Sequence, residues 1–333
     1  MLYYIIIFSD YSFIKVSSVI VDSMEIETVE GRLVRLQTRD KVRIEGFLIG
    51  TRNEACMIYV HGMFGNFYRS TLPFSLARKL SRNGVPVFIL NTRGHDAVAV
   101  LKKGRGERLI AGTDLERFED SVFDIDAAIV ALKQMGFKKF VLVGHSTGCQ
   151  KVTYYQYKKK RREVIGVLLL APADDYAIYR KELGSGFAAK IRLAKALVKK
   201  GHGDTVTHLM PSHFSPRRFL SLADLRNQEA RVFNYDGKMH GFSSVKVPVC
   251  AVFGSREEYA CKPVVEYMEI LKRKNNSKSF LGVVVDDADH SFSGREDFLA
   301  GFASKWALNL RSGKALPTGI LELNSRFPLA SVL

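Results

Sequence analysis

Short, nearly continuous apolar runs alternate with helix-like patterns along most of the chain. Runs of this kind are typical of strands that are covered by helices on both faces of a sheet. Helical patterns lie near residues 71–83, 116–135, 147–161, 262–274 and 295–310. The alternation predicts an α/β fold with a mostly parallel central sheet and helices on both faces. The six apolar runs read CMIYV, PVFILN, KKFVLVG, VIGVLLLAPA, PVCAVFG and FLGVVVDD.

Two segments outside this alternation have their own patterns. RLVRLQT and VRIEGFLIG, joined through residues 39–41, predict an antiparallel hairpin before the first buried strand. Residues 174–246 separate the fourth and fifth buried strands, a connection of roughly 70 residues that far exceeds an ordinary loop. We therefore expect a helical cap over a core made of residues 25–173 and 247–312. Within it, FAAKIRLAKALVKK places Phe187, Ile191, Ala194 and Val198 on one helical face.

Both ends of the chain lie outside this pattern. Residues 1–24 are apolar, but they lack a basic leader region, and Asp10 and Lys15 interrupt the run. We expect this N-terminal extension to lie outside the fold, with the working chain beginning near Met24; an extra edge strand and a weak membrane anchor are the alternatives. Residues 313–333 form a C-terminal tail to which the sequence assigns no role.

The composition changes this picture only slightly. The chain has 333 residues, with 50 Lys and Arg against 34 Asp and Glu, so its formal charge is +16. That excess is compatible with a solvated basic surface, and it leaves an anionic membrane surface as an alternative partner. We expect no nucleic acid partner. The four cysteines show neither CxxC spacing nor a nearby histidine pair, which indicates a reducing, cytoplasmic setting without disulfides or a metal site.

The segment KKFVLVGHSTGCQ carries the first candidate for chemistry. An apolar strand leads into Gly144, and a helical pattern begins directly after Gly148, so Ser146 lies on a tight strand-to-helix turn. Such a turn needs small residues two positions either side of the serine. Ser146 is therefore the candidate nucleophile, and the backbone N–H of Thr147 is a candidate donor to an oxyanion.

Candidate partners follow at later strand ends, in the order serine, acid, histidine. His290, in DADHSF, comes directly after the last apolar strand and is the candidate general base. The loop after PVCAVFG offers Glu257 and Glu258 as the acid, and Asp175 is an outside candidate. A carboxylate there would orient the imidazole and stabilise its charged form.

The loop HGMFGN follows the first buried strand. Its glycines allow a close approach of the backbone to a ligand, and the N–H of Met63 is the candidate second oxyanion donor. NTRGHD follows the next strand, and we interpret its Arg93 and Asp96 as structural.

Together, YVHGMFGN, NTRGHD, VGHSTGCQ, FGSREEY and DADHSF resemble the motifs of α/β-hydrolase superfamily serine hydrolases of the esterase and lipase branch. GHSTGCQ with GSREEY resembles a poorly characterised part of the superfamily. The resemblance covers most of the chain and favours Glu257 over Glu258 as the acid, although Asp is more common there. Lys151 also departs, since that branch tends to carry an acid at this position.

The resemblance implies esterase-like activity without a cofactor, on a small-molecule acyl ester. Acyl transfer or thioester cleavage is the alternative with the same machinery. A binding module that uses the basic surface, with an unused triad, is the alternative from another class. Epoxide and haloalkane chemistry is disfavoured because those relatives carry Asp where this chain has Ser146. The physiological substrate and the oligomeric state are not readable from the sequence.

Overall fold

The structure is a computed structural model, which describes residues 3–8, 13–19, 26–51 and 54–323. Its strands are β1 (Tyr3–Phe8), β2 (Phe13–Val19), β3 (Ile26–Gln37), β4 (Arg43–Ile49), β5 (Ala55–Val60), β6 (Val87–Leu90), β7 (Ala99–Lys103), β8 (Glu107–Ala111), β9 (Lys139–His145), β10 (Val164–Leu170), β11 (Val249–Gly254), β12 (Phe280–Val285) and β13 (Gly319–Leu323). Its helices are α1 (Thr71–Arg82), α2 (Ser121–Gln134), α3 (Thr147–Lys159), α4 (Asp175–Leu183), α5 (Phe187–Lys199), α6 (Pro216–Ala223), α7 (Gln228–Val232), α8 (His240–Ser243), α9 (Val264–Lys274) and α10 (Glu296–Ser312).

Eleven of the described strands form one sheet, in the order β1-β2-β3-β4-β6-β5-β9-β10-β11-β12-β13. In this order, the neighbouring strands from β1 to β4 pair antiparallel, as do β4 and β6. All neighbouring strands from β6 onward, through β5 and β9 to β13, pair in parallel. Every residue of β5, β6, β11 and β12 is buried, so both faces of the central sheet are covered. This agrees with the six continuous apolar runs, each of which forms a strand of the sheet.

The segment 174–246 carries α4 to α8 and a small hydrophobic cluster of its own. Ala194 of α5 belongs to this cluster and Phe187 and Ile191 pack against it, whereas Leu197 takes the place predicted for Val198. The side chain of Met63, from the loop after β5, packs against the same cluster. The segment therefore meets the core beside the loop that follows β5. The buried members of the cluster are Tyr179, Ala194, Met210, Phe214, Phe219, Leu222 and Ala223.

Several elements differ from the expectations for the ends of the chain. Residues 3–8 and 13–19, assigned to an extension outside the fold, form β1 and β2, which continue the sheet beyond β3. Met24 lies outside the described residues. Residues 319–323 of the C-terminal tail form β13, which pairs in parallel with β12 and completes the sheet on that side. Residues 324–333 are likewise not described.

The hairpin β7–β8 was not predicted at all. Val100 and Ile110 are exposed, whereas their neighbours Leu101 and Leu109 pack half-buried against the core. Apolar residues of both faces therefore adjoin in the sequence, which hides the alternation expected of a half-buried strand. Across the described ranges, no helix is both long enough and apolar enough to cross a bilayer.

Candidate active site

Ser146 lies on a strained turn between β9 and α3. Its φ is 52° and its ψ is −127°, in a region that residues with a side chain rarely occupy. A Cβ at Gly148 would lie 2.1 Å from the carbonyl oxygen of Val60, and one at Gly144 would lie 2.5 Å from the carbonyl carbon of Gly148. Both contacts are too close for any side chain. The two glycines are thus required by the close approach of backbone that presents Ser146.

His290 and Glu257 are joined by a short hydrogen bond. The distance from Nδ1 of His290 to Oε1 of Glu257 is 2.7 Å, and both side chains are buried. Oε2 of Glu258 instead accepts from the backbone N–H of His290, at 2.9 Å. Glu258 therefore holds the backbone of His290, and Glu257 holds its ring. Asp175, the outside candidate, bonds to Gln150 instead.

The surroundings of His290 fix the position of its ring. The ring of Tyr259 meets it edge-on, with centroids 4.7 Å apart. Nε2 of His145 donates to the backbone carbonyl oxygen of His290 at 2.9 Å, which holds the main chain of the residue. Burial lowers the pKa of His145 to about 4, and the nearby His290 contributes in the same direction. His145 is therefore a neutral donor at physiological pH.

Ser146 and His290 line the same cavity. In the part of the chain that the structure describes, no hydrogen bond joins the Ser146 hydroxyl to the His290 ring. Such bonds are often long in free enzymes and tighten when substrate binds. The geometry thus brings the nucleophile and base candidates into one cavity, with the acid candidate Glu257 bonded to the base behind it.

The two candidate oxyanion donors lie on either side of Ser146. Among the described residues, neither the N–H of Met63 nor that of Thr147 donates to a protein acceptor, whereas the next amide, of Phe64, donates to Oγ1 of Thr113 at 2.8 Å. A Cβ at Gly62 would lie 2.8 Å from Cβ of Ser146, so the loop passes directly beside the serine. Both free amides can therefore serve a ligand oxygen.

His61 links this loop to the segment after β6. Its Nε2 accepts from the backbone N–H of Thr92 at 3.2 Å, which leaves the proton on Nδ1, and Nδ1 donates to the carbonyl oxygen of Gly62 at 2.8 Å. Burial, followed by the charge of nearby Lys151, lowers the pKa of His61 well below its usual value. His61 is therefore a neutral brace whose proton fixes the course of the loop.

The cavity has a volume of about 530 Å³. Its walls come from the loop after β5, the start of α1, the turn at Ser146, the loops before α9 and α10, and α4 of the cap. Aromatic and aliphatic side chains line it together with polar groups such as Arg69, Asp175 and Glu182. The lining is thus mixed rather than purely apolar, and the cap contributes part of it.

Sequence reasoning missed a buried ionic cluster behind the cavity. Lys151 of α3 pairs with Glu116 at 2.7 Å, and Glu116 also lies 3.6 Å from Arg218 of α6. Arg218 in turn pairs with Glu229 of α7. All four side chains are almost fully buried. The signal available in the sequence was Lys151 itself, a departure from the motif that this segment resembles. A buried lysine requires a carboxylate partner.

Arg93 and Asp96 have structural contacts. Arg93 donates to Asp124 of α2 and, at 2.8 and 3.0 Å, to both oxygens of Asp40 in the β3–β4 turn. Asp96 accepts from Asn66 at 2.6 Å. The loop after β6 is thus tied to α2 and the β3–β4 turn through Arg93, and to the loop after β5 through Asp96. No group of three or more potential metal ligands is found within the described ranges.

Comparisons with known proteins agree with this architecture. A family model described as "Protein of unknown function (DUF1749)" matches residues 114–301, more than half of the chain. The chain belongs to DUF1749. No curated protein matches this DUF1749 chain with significance.

Solved structures resemble the DUF1749 chain over most of its length. A carboxylesterase, CesB, from Bacillus subtilis is 15% identical, with a TM-score of 0.52, and the match covers 86% of this chain and 93% of that one. An esterase of Pyrococcus furiosus is 18% identical, with a TM-score of 0.54 and coverages of 85% and 91%. A monoacylglycerol lipase of Paleococcus ferrophilus is also 18% identical, with a TM-score of 0.56 and coverages of 80% and 99%. This DUF1749 member has the α/β-hydrolase fold of esterases and lipases.

Proposed function

We propose that this protein is a serine hydrolase that cleaves a carboxylic ester through an acyl-enzyme. The observation that carries the proposal is the 2.7 Å hydrogen bond between Nδ1 of His290 and the buried Glu257, since His290 lines the same cavity as Ser146. A histidine ring held by a carboxylate beside a serine on a strained turn is the arrangement that activates a hydroxyl for attack. The names of the similar structures, a carboxylesterase, an esterase and a lipase, support an ester as the substrate.

In the proposed first step, the Ser146 hydroxyl attacks the ester carbonyl carbon while Nε2 of His290 takes its proton. Nδ1 of the ring already bonds to Glu257, so Nε2 is the nitrogen that is free for this role. The carboxylate stabilises the imidazolium that forms. The carbonyl oxygen gains negative charge and accepts hydrogen bonds from the backbone N–H groups of Met63 and Thr147.

The tetrahedral intermediate then collapses. His290 returns its proton to the leaving alkoxide, and the alcohol departs. Water enters, His290 removes its proton, and the hydroxide attacks the acyl-Ser146 ester. A second collapse frees the carboxylic acid and returns the proton to Ser146.

Labelling with a fluorophosphonate probe tests the proposal, because such a probe reacts with an activated serine. The native chain should be labelled, while Ser146→Ala and His290→Ala should not be. A folded native chain that resists labelling would contradict the proposal. If Ser146→Ala left labelling unchanged, another residue would be the nucleophile.

Hydrolysis and acyl transfer are separated in a second assay. The unlabelled native protein is incubated with a substrate ester, with and without an added alcohol or amine, and the acid and transfer products are quantified. Predominant transfer would favour the acyltransferase alternative, which uses the same three residues.

A further inference from the structure

Asp175 lies in the cavity wall close to Ser146 but takes no part in the proposed reaction. It is the first residue of α4 and is 4% exposed. The backbone N–H of Ser146 donates to the carbonyl oxygen of Leu170 at 2.9 Å, so the segment from β10 to Asp175 starts directly beside the nucleophile. Asp175 is therefore a buried carboxyl group on the substrate side of the cap.

The bonds of Gln150 define how this carboxyl group is oriented. Nε2 of Gln150 donates to Oδ2 of Asp175 at 2.6 Å and to the carbonyl oxygen of Ala173 at 3.0 Å. A carbonyl oxygen only accepts, so the amide nitrogen of Gln150 must point this way. Oδ2 of Asp175 is thus an acceptor. Oδ1 has no protein partner among the residues that the structure describes.

Among the residues described, the buried charged side chains near Asp175 pair with one another and leave no cation for Asp175. Behind it, two cations, Lys151 and Arg218, are paired with two carboxylates, Glu116 and Glu229. Asp175 itself makes no ion pair in the described part of the chain. An unpaired ionised carboxylate is strongly disfavoured in such a buried position.

The groups that face Asp175 act mostly in the same direction. Burial raises its pKa well above the ordinary value, and the charges of Glu229 on α7 and of the adjacent Asp174 raise it further. Arg218 on α6 and the bond from Gln150 act against this. The balance favours a protonated, neutral Asp175.

We propose that Asp175 is a neutral carboxylic acid whose Oδ1–H donates a hydrogen bond to an uncharged oxygen of the substrate. Because Oδ2 accepts from Gln150, the proton belongs on Oδ1, the atom without a partner. This inference rests on the proposed ester hydrolysis and adds a substrate class to it. The preferred ester carries a second neutral oxygen, such as a ketone, hydroxyl or ether, at a distance from the scissile carbonyl.

Infrared difference spectroscopy tests the protonation state without any turnover. At about pH 8, the native protein should show the carbonyl stretch of a protonated carboxylic acid that is lost in Asp175→Asn. Asp174→Asn is the matched control, since the pKa of Asp174 is raised only to about 6 by burial, and it is ionised at this pH. No loss of the band in Asp175→Asn would overturn the inference.

Steady-state kinetics tests the substrate class. The assay compares 4-nitrophenyl hexanoate with 4-nitrophenyl esters of keto-hexanoic acids, in which the position of the ketone moves along the acyl chain one carbon at a time. A second series uses alkyl hexanoates, in which an ether oxygen moves along the chain of the alcohol. One oxygen position should raise kcat/KM by up to about tenfold, as expected for one hydrogen bond. Asp175→Asn, which keeps a neutral donor, should retain this preference, and Asp175→Leu should abolish it.

The outcomes separate this inference from the proposed function. Normal fluorophosphonate labelling without any oxygen preference, or a preference that survives in Asp175→Leu, would overturn the inference and leave the hydrolase proposal intact. If the native protein shows the acid band but is not labelled, the hydrolase proposal and the substrate class are overturned, while a neutral Asp175 stands.

Discussion

Exchanging Glu257 for glutamine gives the sharpest test of which carboxylate serves His290. The change keeps the shape of the side chain and removes its charge. Oε1 of Glu257 also accepts from the backbone N–H of Tyr259 at 3.3 Å, so the oxygen of the new amide should stay in place and still accept from Nδ1 of His290. The ring therefore keeps its orientation but loses the negative charge that stabilises the imidazolium.

The expected loss follows from the burial of this pair. Removing the charge of a buried, hydrogen-bonded partner costs about 2 to 5 kcal/mol, and each 1.36 kcal/mol corresponds to a factor of ten. Glu257→Gln should therefore lower kcat by about 30-fold to about 5,000-fold. Its amide nitrogen would also occupy the site of Oε2, which is buried without a hydrogen-bond partner, so some loss of stability should accompany the change.

Glu258→Gln is the matched control. Oε2 of Glu258 accepts from the backbone N–H of His290, a role that an amide oxygen can fill. Its kcat should stay within about threefold of the native value. Both variants are compared on one activated ester, with circular dichroism to confirm folding. A larger loss for Glu258→Gln, or similar small losses for both, would refute the assignment of Glu257.

Three further predictions concern stability. Gly148→Ala should unfold at lower temperature and label more slowly, because its Cβ would lie 2.1 Å from a backbone oxygen; Gly186→Ala, with open space, should match the native protein. Lys151→Met should cost about 3–5 kcal/mol in urea unfolding by leaving Glu116 undercompensated, and adding Glu116→Gln should restore part of it. Folding lowers the pKa of His145 to about 4, so below about pH 6.5 the unfolded chain binds more protons and the native protein loses stability as the pH falls. His145→Gln lacks this group, so between about pH 6.5 and about pH 4 its free energy of unfolding, measured in urea, should fall by up to about 3 kcal/mol less than that of the native protein.

The central fold could be predicted because its strands are buried on both faces. Each of the six apolar runs forms a strand of the sheet, and the helical patterns between them form α1, α2, α3, α9 and α10. The hairpin β7–β8 escaped because apolar residues stand on both of its faces, exposed at Val100 and Ile110 and half-buried at Leu101 and Leu109. Gly104 and Gly106 in its turn were a usable signal. Burial, rather than β-propensity alone, produced the readable pattern.

The residues of the candidate site could be nominated from the sequence, but their contacts could not. Chain order and strand ends pointed to Ser146 and His290, which the structure places in one cavity. The choice between Glu257 and Glu258 depends on the direction in which the loop turns, which two adjacent identical residues do not reveal, so the preference for Glu257 came from the resemblance alone. The partners of Lys151 come from distant segments, so neither periodicity nor spacing reveals them.

The ionic cluster behind the cavity has a consequence for how the cap can move. Its members belong to both parts of the molecule: Lys151 and Glu116 to the core, Arg218 and Glu229 to the cap. Lifting the cap as a rigid lid would separate buried charges without replacing their partners. Under the proposed function, we expect a substrate to enter through movements of side chains and short loops at the rim of the cavity. The cap and core should also melt together, as one cooperative unit, rather than as a loose attachment over a stable base.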